Sequence, residues 1–180
     1  MVTEFQKRKL SLRFYMVDTS KNGIVELSDF EHQGQKVAEL RGIQPGSAEY
    51  EEIISTYIGI WETYWKGADT DGDNAITVDE YVKFTERAIA AKAEGKVQLV
   101  TGKDVFDTLD INGDGEIDLE EYAIYLKAVG RSEEDAKIAF SKIDRDGDGK
   151  LSRDEFATAM YDYHTSNDPQ DPANWAFGSY

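Results

Sequence analysis

The chain has 180 residues, with 36 acidic against 20 basic side chains and a formal charge of −16. Such a field disfavours nucleic acid and anionic membranes and favours cations, while 40% hydrophobic and 12% aromatic residues exclude a disordered acidic chain. The absence of cysteine excludes disulfides and thiolate metal sites.

No stretch is apolar and long enough to span a membrane, and the start, Met1 to Lys9, lacks the apolar region of a signal peptide. Val2 stands where N-myristoylation requires glycine, so a cytoplasmic protein without membrane insertion is expected.

The first predicted helix runs from Phe5 to Val17, with Leu10, Phe14 and Val17 on one face. A twelve-residue loop follows, from Asp18 to Asp29. Side-chain oxygens fall at positions 1, 3, 5, 9 and 12, in Asp18, Ser20, Asn22, Glu26 and Asp29, and the Ile24 carbonyl takes position 7. A helix with Phe30, Val37 and Leu40 leaves this loop and breaks at Gly42 and Pro45-Gly46.

Ser47 or Ala48 opens the next helix, whose apolar stripe holds Ile53, Ile54, Tyr57, Ile60, Trp61, Tyr64 and Trp65. The stripe reads as core before it reads as the wall of a ligand site. The second loop offers Asp69, Asp71, Asp73, the Ala75 carbonyl, Thr77 and Glu80, then a helix with Tyr81, Phe84 and Ile89. Its sixth position is Asn74, the residue that best replaces glycine in a left-handed turn.

Lys92 to Lys96, with Gly95, reads as a linker between two pairs of loops. A helix with Val105, Phe106 and Leu109 then enters the third loop, which places Asp110, Asn112, Asp114, the Glu116 carbonyl, Asp118 and Glu121 at the six ligand positions. Tyr122, Tyr125, Leu126 and Val129 follow, and Gly130 stops the helix. Ser132 caps the next helix, with Glu133, Glu134 and Asp135 on its positive dipole end. The fourth loop carries Asp144, Asp146, Asp148, the Lys150 carbonyl, Ser152 and Glu155, and Phe156, Met160 and Tyr163 leave it.

These four windows hold 19 acidic and 4 basic residues, or −15 of the total −16, so the charge belongs to repeated sites and not to a solvated surface. Alternate oxygens in a tight turn, closed by a carboxylate from the next helix, replace the hydration shell of a hard divalent ion. Position 8 is aliphatic throughout (Val25, Ile76, Ile117, Leu151), as expected if loops one and two, and loops three and four, meet through short β contacts. Loop one is the weakest ligand set. Ser20 and Asn22 remove two charges and Asp29 is one methylene shorter than Glu, which favours octahedral Mg²⁺ over seven-coordinate Ca²⁺.

With those loops in hand, the chain resembles the EF-hand superfamily, and within it the sarcoplasmic calcium-binding protein, calexcitin and calerythrin group. Asp29 closing the first loop, the long segment between the first two loops, and the tail from Ser166 to Gly178 carry the narrower likeness. The resemblance implies an all-α protein with four EF-hands in two paired lobes, packed into a compact body, acting as a cytosolic buffer of Ca²⁺ (up to four ions) and Mg²⁺. That group usually has a degenerate loop, often the second, whereas Asp69 to Glu80 keeps its ligands.

Residues 1–94 and 95–165 are expected to form the two pairs, and 166–180 a tail whose Trp175 and Phe177 fold back into an apolar pocket. A calcium sensor with a protein target is the alternative, but only Met1, Met16 and Met160 are available for the Met-rich groove that sensors expose. Related EF-hand proteins bind or oxidise coelenterazine in a pocket with histidine beside tyrosine and tryptophan. His164, with Tyr161, Tyr163 and Trp175, fits that pattern superficially, although a histidine at a helix end is usually a surface residue. No cysteine nucleophile, P-loop or histidine pair at metal spacing suggests an enzyme, and a monomer is expected.

Overall fold

The computed structural model describes residues 2–93 and 103–179. Eight α-helices appear among them: α1 (Glu4–Val17), α2 (Leu27–Leu40), α3 (Ala48–Ile60), α4 (Val78–Ala93), α5 (Lys103–Leu109), α6 (Leu119–Ala128), α7 (Glu133–Ile143) and α8 (Arg153–Thr165). Four two-residue strands sit between them: β1 (Ile24–Val25), β2 (Ile76–Thr77), β3 (Glu116–Ile117) and β4 (Leu151–Ser152). Of the expected linker at Lys92 to Lys96, the first two residues close α4 and residues 94–96 lie outside the described residues.

Helix ends follow the local sequence. Thr3 and Gln6 form a reciprocal capping box at α1, Ser47 caps α3, and Ser132 with Asp135 repeats the box at α7. The strands pair antiparallel as β1–β2 and β3–β4, with Val25 opposite Ile76 and Ile117 opposite Leu151. All four of these position-8 side chains are fully buried, which fixes each loop against its partner.

One core cluster gathers Leu10, Phe14, Phe30, Tyr57, Trp61 and Trp65, and the other Phe106, Tyr122, Leu126, Phe140, Phe156 and Tyr163. The halves are not sealed from each other. Met16 of α1 belongs to the second cluster and Ala128 of α6 to the first.

The aromatic helix does not run on as regular α-helix. Beyond Ile60 it widens into a π turn over Trp61–Trp65 and tightens into a 3₁₀ turn over Lys66–Ala68. Trp61 and Trp65 both lie 5.6 Å from Phe30 (ring centroids), and Trp65 stacks on Tyr81 at 4.5 Å. Two indoles thus fit one side of the core, a packing demand that apolar periodicity does not reveal.

The tail returns over the second half. Ala173, Asn174, Ala176 and Phe177 are buried, whereas Trp175 is half-buried. Phe177 meets the Tyr163 ring edge-on at 4.7 Å and lies 4.5 Å from the Arg13 guanidinium.

Candidate metal centres

Each loop is bounded by helix caps, and the same side chains serve as caps and candidate ligands. In loops two, three and four the position-9 oxygen of Thr77, Asp118 or Ser152 accepts the N–H of Glu80, Glu121 or Glu155 (3.3, 2.9 and 3.3 Å). The acid at position 12 answers by accepting the position-9 N–H in all four loops, at 3.0 Å from Glu26 to Asp29, 3.0 Å from Thr77, 2.9 Å from Asp118 and 2.9 Å from Ser152. A capping box therefore aims the closing carboxylate back at the loop.

The other ligand positions are organised by the loop backbone. The first aspartate accepts the N–H of position 6 in every copy: Asp18 from Gly23 (2.9 Å), Asp69 from Asn74 (3.0 Å), Asp110 from Gly115 (2.9 Å) and Asp144 from Gly149 (3.1 Å). Position 5 accepts the N–H of position 7, as Asn22, Asp73, Asp114 and Asp148. Asn74 takes φ +65°, so asparagine does adopt the left-handed turn. These bonds leave the remaining carboxylate lone pairs facing the loop interior.

Two observations fit a cation. Carboxylate oxygens of Asp69, Asp71 and Asp73 lie within 4.8 Å of one another, as do those of Asp144, Asp146 and Asp148. In loop three Asp110 Oδ1 is buried without a hydrogen-bond partner among the described residues, and a divalent ion would satisfy it. An ion bound there would supply positive charge to offset carboxylate crowding.

Loop one is packed differently. Asp18 and Asp29 are buried, with Asp29 fully enclosed. Asp29 Oδ1 accepts from the Ser20 N–H (3.0 Å) and the Thr19 hydroxyl (3.0 Å), so the shorter acid still spans the loop. Asn22 Nδ2 contacts Glu26 Oε2 at 3.5 Å, bringing positions 5 and 9 together. Lys21 takes φ +56° where the other three loops have glycine.

Hydrogen bonds also set the acid strengths. Donation from the Thr77 backbone and the Thr70 hydroxyl holds Glu80 down to about 2. The Glu116 N–H, then Lys150, lower Asp114.

Away from the loops, His164 is half-buried, its Nδ1 2.7 Å from the Met160 carbonyl, and burial lowers its pKa to about 4. It is more enclosed than an ordinary helix-end histidine. Two cations, the buried Lys9 and the half-buried Arg13, escaped the sequence reading. Lys9 Nζ donates to the Ser166 carbonyl (3.0 Å) and Asn174 Oδ1 (2.7 Å), and Arg13 Nη2 to the Tyr125 hydroxyl (3.3 Å). Their partners lie more than a hundred residues away, and no local pattern announces them.

Family models for an EF-hand domain pair and an EF hand match residues 101–161 and 68–85. Calerythrin from Saccharopolyspora erythraea is 34% identical over 167 residues, covering 91% of this chain and 94% of that protein. Sarcoplasmic calcium-binding proteins I, III and IV from Branchiostoma lanceolatum are 26% identical, over 70% of this chain and 71% of theirs. Among solved structures, coelenterazine-binding protein from Renilla muelleri superposes with TM-score 0.80 at 24% identity, covering 99% of this chain and 100% of that one, a likeness of fold. A Streptomyces coelicolor calcium-binding protein gives TM-score 0.68 at 25% identity, over 97% and 99%. The chain belongs to the EF-hand proteins, in the group that holds calerythrin and the sarcoplasmic calcium-binding proteins.

Proposed function

We propose that this protein is a cytoplasmic, monomeric Ca²⁺/Mg²⁺ buffer whose four loops bind ions through the ligand sets named above. In this reading residues 1–94 and 95–165 each carry one pair of sites. Loops two, three and four take Ca²⁺, while loop one, with its enclosed Asp29 and uncharged Ser20 and Asn22, is the site most open to Mg²⁺.

One observation carries the choice of buffer over sensor. Phe177 sits in the core at 2% exposure, held by a tail that α1, α6 and α7 all bind. The Tyr122 hydroxyl donates to the Ala176 carbonyl, Lys9 to Asn174, and Ser179 to Asp135 at 2.8 Å. Met16 and Met160 are buried with it, so the side chains that would line a sensor groove are already used.

A sensor is the second reading. It is favoured by the Streptomyces coelicolor relative, whose structure is described as a basis for prokaryotic calcium-mediated regulation. Uptake of a hydrophobic dye on adding Ca²⁺ separates the two. A buffer leaves the dye dark in the intact chain, and truncation after Ser166 brightens it. A Ca²⁺-dependent signal from the intact chain would establish the sensor.

A further inference from the structure

Lys150 touches both halves of the second loop pair. Its backbone N–H donates to Asp148 inside loop four, and its carbonyl is the position-7 oxygen there. Its ammonium instead crosses to loop three, 2.6 Å from Glu116 Oε2 and 3.3 Å from Asp114 Oδ2. Asp114 is the position-5 ligand of loop three, so a cation supplied by one loop rests on a ligand of the other. Among the described residues the first pair has no counterpart. Register places Ala75 where Lys150 stands, and alanine cannot reach across.

We propose that Lys150 is a tethered counter-ion that lowers the Ca²⁺ affinity of loop three. The inference rests on the metal-binding reading of that loop. Without metal, the ammonium relieves repulsion between Asp114 and Glu116. An ion in loop three competes with it for Asp114 and is repelled by its charge, a penalty that salt screens. Lys150 thereby separates the affinities of the two sites in this pair.

Amide NMR during Ca²⁺ titration of the full chain tests this, because the N–H groups of Gly115 and Gly149 bond to the first aspartate of loops three and four. Removing the charge in Lys150→Met should lower the Gly115 midpoint by about threefold to tenfold at low salt, and by less at high salt. Lys150→Arg should leave that midpoint near wild type. An unchanged Gly115 midpoint in Lys150→Met, or an equal shift in Lys150→Arg, would overturn the proposal. A wild-type chain in which neither glycine responds to Ca²⁺ would overturn the metal-binding reading itself, and this inference with it.

Discussion

Lys21 is the residue at which loop one departs most from its siblings. A side chain at φ +56° costs about 1 kcal/mol against glycine, so Lys21→Gly should raise stability by about that amount in urea unfolding. A drop would show that the lysine side chain has a compensating role. Lys9 offers a second test at this scale. Burial lowers its pKa from 10.5 to about 8, with Asp171 and Asp162 opposing. Between those values the unfolded chain keeps a proton that the folded chain has released, so stability contributed by this group rises with pH from about 8 to 10.5. Unfolding of Lys9→Met should lack that rise, and matching pH slopes in the two proteins would refute the assignment. The candidate ligand positions were legible because each oxygen sits at a fixed place in a repeated turn. Lys9, Arg13 and the Lys150 bridge were not, because tertiary contact alone gives them partners.

Caps, strands and the tail act at the scale of elements. Ser47 and Ser132 marked helix starts through chemistry confined to one turn, and the position-8 residues marked β pairing through burial. The π turn at Trp61–Trp65 stayed hidden, since it answers the space around Phe30 and Tyr81. Truncating Phe177 to alanine should cost about 3–5 kcal/mol of stability, the range for a fully packed phenylalanine, and should loosen the tail enough to admit dye. Unchanged stability would mean that the tail adds nothing to the core. Ile117→Ala removes a side chain shared by both loops of one pair and should cost about 2–5 kcal/mol. The same change should reduce cooperativity between loops three and four in a Ca²⁺ titration.

Across the whole molecule, −15 of the −16 charges sit in four loops, while the rest is nearly neutral and builds two interlocking cores. Metal-free loops therefore repel within themselves, and each bound ion stabilises the fold, by about 2.7 kcal/mol per site at free ion one hundred times its dissociation constant. Met16 and Ala128 cross between the clusters, and Arg13 lies near Trp65 of one and Phe177 of the other, which suits a body that stays closed as it fills. The most direct test is a calorimetric Ca²⁺ titration of the intact chain, with and without millimolar Mg²⁺. Four bound Ca²⁺ are predicted, with the weakest site, loop one, surrendered first to Mg²⁺. A titration without saturable Ca²⁺ binding would contradict the account at its root.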